Sequence, residues 1–106
     1  MSGKQIFSLK FAPEVVEQLD WIERKYHNLI RQTINKELIN APGIETRNKK
    51  TLDQPAPYEA TWELRFGPEN RFRVLYEIDN EMQEVWILAI GKKIGNRLII
   101  GGEEYK

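Results

Sequence analysis

The sequence predicts an α+β fold in which an antiparallel four-stranded sheet packs against an N-terminal pair of helices, in the order β-α-α-β-β-β. Two patterns lead to this prediction. Apolar side chains recur at helical spacing over residues 13–41, whereas residues 60–91 alternate apolar and polar side chains or form short apolar runs between turn residues. A chain of 106 residues that is 41% hydrophobic can bury one core, so we expect a single domain over residues 1–106.

The N-terminal part begins with a predicted strand, which two predicted helices follow. Residues 5–11 alternate in the manner of a strand with one apolar face. Pro13 and the acids after it suit the start of a helix, and the apolar pattern then continues to about Tyr26. A weak break at residues 27–28 separates it from a second helical pattern, which Pro42 stops. The pair forms either a helical hairpin or one long kinked helix, and we favour the hairpin.

The C-terminal part is predicted to contain a long loop and then consecutive strands. Residues 44–60 show no steady period and hold two prolines, which indicates a loop with at most a short turn or strand end. Strands are predicted at about 60–66, 71–79 and 83–91. The third is apolar on both faces, so it should be central, with helices covering one side. Residues 97–100 are a candidate edge strand, and we interpret the residues after them as a tail.

The composition excludes several kinds of site. With no cysteine and a single histidine, the chain can form neither a disulfide, nor a thiolate metal site, nor a zinc site built on histidine pairs. No P-loop or dinucleotide-binding motif is present. We therefore expect no metal and no cofactor.

Charge and hydropathy set further limits. Sixteen basic and sixteen acidic residues give a net charge of zero, which argues against nucleic-acid binding through overall charge. The distribution is uneven, because residues 13–23 hold four acids and no base, whereas most basic residues follow residue 46. The sequence contains no apolar run of a signal peptide or of a bilayer-spanning helix. We expect a cytoplasmic protein without membrane contact.

The first two of the three C-terminal strands should form a hairpin with arginines on one face. Alternation puts Glu63 and Arg65 on the face opposite the apolar residues, and likewise Arg71 and Arg73. A loop of three or five residues keeps both apolar sets on the same face. Facing like charges destabilise a sheet, so the cluster indicates an anion ligand. The alternative is a solvated face neutralised by Glu63 and Glu77, and the spacing alone leaves both open.

A cluster of arginine and lysine side chains suits one kind of chemistry in particular. Guanidinium donors match phosphate oxygens two at a time, and they stabilise the extra charge of a pentacoordinate phosphorane. RNA strand cleavage needs little else, because the neighbouring 2′-hydroxyl of the RNA attacks phosphorus in line. The protein then supplies positioning, charge stabilisation and proton transfer, without a metal.

Several segments of the chain resemble the RelE/ParE superfamily of toxins from bacterial type II toxin–antitoxin modules. The segments are residues 62–67, 72–79 and 85–93, together with the leading strand and the helical pair. Residues 45–52 and 95–105 are similar to one sub-branch of that superfamily. The resemblance covers nearly the whole chain and implies a RelE-like fold.

The resemblance also implies function. Members similar to RelE are ribosome-dependent mRNA endonucleases, whereas ParE-like members act on DNA gyrase and lack the nuclease residues. The preferred interpretation is a RelE-like endoribonuclease, an mRNA interferase that inhibits translation on the ribosome. A cognate antitoxin protein neutralises it, and operator DNA is contacted only through the complex with the antitoxin. The alternatives are a ParE-like toxin and a catalytically inactive, antitoxin-binding module.

The resemblance assigns roles to individual residues. Arg73 falls in the strand motif of arginine, two apolar residues and tyrosine, Lys93 follows the Gly-Lys at the end of the central strand, and Arg65 lies near a nuclease lysine. These three form the predicted catalytic set. Glu63 stands where nuclease members carry a second lysine, and it is either a proton acceptor or an ion-pair partner of Arg73. Tyr105 is the only candidate for a C-terminal catalytic residue. The predicted RNA-binding residues are Lys49, Lys50, Arg71, Lys92 and Arg97.

Overall fold

The computed structural model describes residues 6–105, which form two α-helices and a sheet of seven strands. Neither α-helix in this part of the chain has the length and apolar character that a bilayer-spanning segment requires. In chain order the elements are β1 Ser8–Phe11, α1 Glu14–Leu19, α2 His27–Leu38, β2 Lys49–Thr51, β3 Trp62–Phe66, β4 Phe72–Asp79, β5 Glu84–Ile94, β6 Arg97–Ile100 and β7 Glu103–Tyr105. The α+β class and the helical pair are as predicted.

The sheet is built around β5, as its apolar sequence predicted. The strand order is β2-β3-β4-β5-β6-β7, all antiparallel, and β1 adds to β5 in parallel. On the edge of β5 away from β4, β1 pairs with residues 84–87 and β6 with residues 91–94. Gln18 fills the gap between them, since the Ile90 N–H donates to its Oε1 over 2.8 Å. The predicted four-stranded antiparallel sheet is thus seven-stranded, with one parallel pair.

The two faces of the sheet carry separate apolar cores. On the face covered by the helices, Leu64, Val74 and Tyr76 pack with Ile30 and other apolar residues of α1 and α2. The opposite face, which we call the outer face, has a smaller core that residues 52–60 and β7 cover. It consists of Ala60, Leu75, Ala89 and Ile100, with Leu52, Tyr58, Leu88, Leu98 and Tyr105 packed against them.

A β-bulge in β5 lies between the two ends of the sheet. Leu75 pairs with Ala89 and Tyr76 pairs with Ile87, so Leu88 is an extra residue on β5. Before the bulge, the odd-numbered residues of β5 face the helices. After the bulge, the even-numbered residues face them. Leu88 and Ala89 both belong to the outer face. This change explains why the sequence of β5 is apolar at consecutive positions.

The break between the helices lies earlier than predicted. α1 ends at Leu19 instead of Tyr26, residues 24–26 form a single 3-10 turn, and α2 begins at His27, where the break was expected. The His27 Nε2 lies 2.9 Å from the Leu19 carbonyl oxygen and 2.8 Å from that of Ile22. Because both partners are acceptors, Nε2 carries the proton and satisfies carbonyl groups at the end of α1.

Two short strands were missed in the sequence. The predicted loop 44–60 contains β2, which pairs with β3, and the predicted tail contains β7, which pairs with β6. β6 is therefore not an edge strand. α2 also ends at Leu38, ahead of Pro42. Each missed strand has only three residues, so its strand character comes from pairing with its neighbour and not from a period of its own.

Candidate functional site

The β3–β4 hairpin has the predicted register. Residues 67–71 form the loop, the longer of the two lengths expected, and Arg65 lies directly opposite Arg73. The apolar residues of both strands face the helices. There the rings of Trp62 and Tyr76 stack with their centroids 6.0 Å apart, Tyr76 within the core and Trp62 packed against it. Both arginines belong to the outer face.

Glu63 joins the two arginines. Its side chain is 8% exposed, and its Oε1 accepts a hydrogen bond from Arg65 Nε over 2.8 Å. Its Oε2 accepts one from Arg73 Nη1 over 3.4 Å, while Arg73 Nε donates to the Asn70 carbonyl oxygen over 3.3 Å. The sequence left two roles open for Glu63. In the structure, Glu63 forms the ion pair with Arg73, and it also pairs with Arg65.

The two arginines differ in exposure. The Arg73 side chain is 11% exposed and that of Arg65 is 41% exposed. Burial lowers the pKa of the Arg73 guanidinium from its ordinary value; the charge of Glu63 opposes this shift and Arg65 adds to it. An arginine still keeps its proton at neutral pH. The site therefore holds one cation shielded from water, where its charge acts more strongly on an anion than at an open surface.

Two lysines extend the cationic surface. Arg73 pairs with Gly91, so Lys93 lies diagonally across from Arg73 on the outer face, and Lys50 pairs with Glu63 from β2. Lys50, Arg65 and Arg73 thus lie next to Glu63, and Lys93 lies beyond Arg73 on the same face. Four positive charges against one negative charge give this group, which we call the cationic cluster, a formal charge of +3.

Gly91 allows β6 to approach the cationic cluster closely. A Cβ atom at this position would lie 2.5 Å from the Ile99 carbonyl oxygen and 2.7 Å from Ile100 Cγ1. Such contacts are too short for any residue with a side chain. The glycine faces Arg73 across β4 and β5.

Lys49 does not belong to this surface, which corrects its predicted contact with RNA. It pairs with Leu64 on the helix-facing side and is 4% exposed. Its Nζ donates to the Ala41 carbonyl oxygen over 2.7 Å and to that of Glu37 over 3.2 Å. Lys49 thus satisfies one carbonyl group in the last turn of α2 and one just beyond it, where a positive charge complements the helix dipole.

The other predicted RNA-binding residues lie around the end of the sheet. Lys92 pairs with Phe72 and so lies on the face opposite Lys93. Arg71, in the hairpin loop, lines a depression together with both lysines. Arg97 donates from Nε to Glu104 Oε1 over 3.2 Å, on the same side as Lys92. The structure brings the predicted catalytic residues together and distributes this second set over two faces.

A hydrogen-bonded tyrosine pair occupies the covered part of the outer face. The hydroxyl groups of Tyr58 and Tyr105 lie 3.2 Å apart, and Gln18 Nε2 donates to Tyr58 over 3.2 Å. Burial and the Tyr105 hydroxyl raise the pKa of Tyr58 to about 12. Tyr58 has φ of +59°, in the left-handed region, so its backbone is held by this packing. Only Tyr105 had a sequence signal, as the C-terminal candidate.

Comparison with known proteins supports the architecture. No protein-family model matches the chain, and no curated protein matches it in sequence. Among solved structures, the fold is similar to that of a chain in the toxin–antitoxin complex RelBE2 from Mycobacterium tuberculosis. The TM-score is 0.69, the sequence identity is 20%, and the similarity covers 88% of this chain and 98% of that chain. The fold is thus of the RelE-like class, as predicted from the sequence.

Proposed function

We propose that the chain is the toxin of a type II toxin–antitoxin module and that it cleaves mRNA on the ribosome without a metal. The observation that carries this proposal is the cross-strand pair Arg65 and Arg73 on the outer face, of which Arg65 is 41% exposed. Two like charges in directly opposed positions destabilise a sheet, which favours a role for them with an anion. The RelE-like fold and the neighbouring Lys50 and Lys93 support the same function.

In the proposed reaction, the scissile phosphate lies against Arg65 and Arg73, with Lys93 beside it. The 2′-oxygen of the RNA attacks phosphorus, and the bond from phosphorus to O5′ breaks. The 2′-hydroxyl loses its proton, O5′ gains one, and the products are a 2′,3′-cyclic phosphate and a 5′-hydroxyl. The guanidinium groups stabilise the additional negative charge of the phosphorane, which is the main electrostatic contribution expected of the protein.

The remaining basic residues are assigned to flanking phosphates. Lys50 lies next to the arginines on the side of β2, whereas Arg71 and Lys92 line a depression shared with Lys93 at the end of the sheet. We propose that the RNA backbone runs between these two places, with Arg97 at its far end. A cognate antitoxin would inactivate the toxin by covering the cationic cluster, and operator DNA would be contacted only through that complex.

One observation favours a different function. Glu63 stands inside the cationic cluster and takes a hydrogen bond from each arginine, so part of the positive charge is already neutralised. This arrangement suits a ParE-like toxin that acts on DNA gyrase, or an inactive module that binds an antitoxin, neither of which needs to hold an RNA phosphate.

Inducing the chain in bacteria without its antitoxin tests these functions. Growth is followed, and mRNA ends are mapped, for the unchanged chain, for Arg73→Ala and for Arg24→Ala. The last variant removes an exposed arginine near the helices and is the matched control. Cleavage that Arg73→Ala abolishes and Arg24→Ala retains is the expected result. Growth arrest with intact mRNA and altered supercoiling would instead identify the ParE-like function, and absence of both effects would identify the inactive module.

A further inference from the structure

The Glu63 carboxylate is buried between the two arginines of the cationic cluster and accepts a hydrogen bond from each. Charged side chains are rarely buried unless they are paired, and replacing all members of a buried ion pair or triad by apolar residues is often neutral or stabilising. Leu75, the neighbour of Glu63 on β4, shows that this face of the strands accepts apolar side chains. A carboxylate at this position therefore indicates a role in the site.

The hydrogen bonds of Glu63 determine which parts of the arginines face outward. Arg65 uses Nε, and Arg73 uses Nη1 for Glu63 and Nε for the Asn70 carbonyl group. Within residues 6–105, both Nη atoms of Arg65 and the Nη2 of Arg73 form no hydrogen bond. Because a guanidinium is planar and its donors have fixed directions, occupying one edge orients the rest.

We propose that Glu63 is the positioning residue of the phosphate site: it fixes both guanidinium groups and weakens their hold on the bound anion. This inference rests on the proposed function. Without Glu63, the two arginines would attract a phosphate more strongly, but they would be free to rotate away from the geometry of the transition state. Glu63 thus reduces binding of the ground state and preserves the orientation on which turnover depends.

The same contacts argue against Glu63 as the base that accepts the 2′-hydroxyl proton. Each of its carboxylate oxygens already accepts a hydrogen bond from a guanidinium, and only 8% of the side chain is exposed. A general base has to reach the proton that it removes. Glu63 acts through Arg65 and Arg73, not on the substrate.

Phosphate binding tests the inference independently of RNA cleavage. Inorganic phosphate is titrated into the unchanged protein, Glu63→Gln and Glu77→Gln, while proton–nitrogen NMR follows the Nε–H signals of Arg65 and Arg73. Glu77 is an exposed carboxylate further along β4, so its variant controls for net charge. Removing a charge roughly 6 Å from the phosphate should tighten binding about threefold in Glu63→Gln and leave Glu77→Gln unchanged.

Turnover of ribosome-bound mRNA supplies the second measurement. In Glu63→Gln, kcat should fall on the order of 10- to 100-fold while KM decreases, because binding improves as orientation is lost. Glu63→Asp keeps the charge but shortens the side chain, so its phosphate affinity should match that of the unchanged protein while kcat falls. Far-ultraviolet circular dichroism confirms that each variant is folded, and Glu63→Asp provides the test if Glu63→Gln does not fold.

The outcomes separate this inference from the proposed function. A folded Glu63→Gln with unchanged or weaker phosphate binding, or with unchanged kcat, would overturn the positioning role, as would Nε–H signals that no phosphate concentration shifts. If phosphate shifts both arginine signals in the unchanged protein but no mRNA is cleaved, the nuclease proposal fails. The phosphate affinities of the variants then still decide whether Glu63 positions the site.

Discussion

The outer face of the sheet has two parts that share strands but differ in every other respect. The covered part consists of Leu75, Ala89 and Ile100 beneath residues 52–60 and β7, whereas the cationic cluster is charged and partly exposed. On β4, Arg73 and Leu75 are successive residues of this face, one in each part. The apolar part holds the strands in place. The rigidity that results keeps the like charges of the cationic cluster close together.

The largest expected effect comes from changing the geometry of the cationic cluster without its charge. Arg73→Lys keeps one positive charge but loses the planar group that bonds both Glu63 and Asn70. Cleavage of ribosome-bound mRNA should fall on the order of 100-fold in kcat. Urea unfolding serves as the control and should show a stability within about 1 kcal/mol of the unchanged protein. Full activity in this variant would contradict a geometric role for Arg73.

A substitution in the covered part should have the reverse effect. Leu75 is 1% exposed, and Leu75→Ala leaves a cavity in the small core of the outer face. The free energy of unfolding should decrease by about 3 kcal/mol in urea denaturation. Cleavage per folded molecule, measured at low temperature, should stay close to that of the unchanged protein. If Leu75→Ala lost cleavage while its stability stayed that of the unchanged protein, the covered part and the cationic cluster would not be separate.

Adjacent lysines compare the two faces of β2 directly. Lys49→Met removes the buried ammonium group and leaves carbonyl groups at Glu37 and Ala41 without their partner, which should cost about 1 kcal/mol or more in urea unfolding. Lys50→Met should change stability by less than about 0.5 kcal/mol. Plotted against the logarithm of the salt concentration, the logarithm of the RNA-binding constant should instead have a slope that is smaller in magnitude by about 0.7, because one phosphate contact is lost. If Lys50→Met lowered stability and Lys49→Met changed the salt dependence, Lys49 would be the residue that contacts RNA.

The smallest effect concerns the tyrosine pair in the covered part. The pKa of Tyr58 is raised to about 12 from an ordinary value of 10.0, so the fold favours the protonated phenol. This contribution to stability is complete below pH 10 and is lost as the pH rises towards about 12. In Tyr105→Phe, the Tyr58 pKa should fall part of the way back, because burial still raises it. Ultraviolet absorbance of the phenolate measures the shift, with Tyr26→Phe as the control.

The hairpin was predictable because its alternation is regular and a loop of odd length fixes its register. Arg65, Arg73 and Glu63 were assigned to one face on this basis alone. The face of each lysine in the Lys49-Lys50 pair was not predictable, since neighbouring residues of a strand always point in opposite directions and β2 is too short to show which is buried. The sharing of Glu63 between two arginines depends on side-chain geometry, and the contact of Tyr58 with Tyr105 joins residues far apart in the chain.

The extra residue in β5 has a consequence for sequence alignment. Because the bulge at Leu88 shifts the alternation by one position, Lys93 shares a face with Arg73 and Lys92 does not. A relative whose strands pair regularly at this point needs a one-residue gap opposite Leu88. Without that gap, Lys92 and Lys93 are each aligned with the wrong residue of the relative. The basic residue next to the arginines is then misidentified, even when every other position is correct.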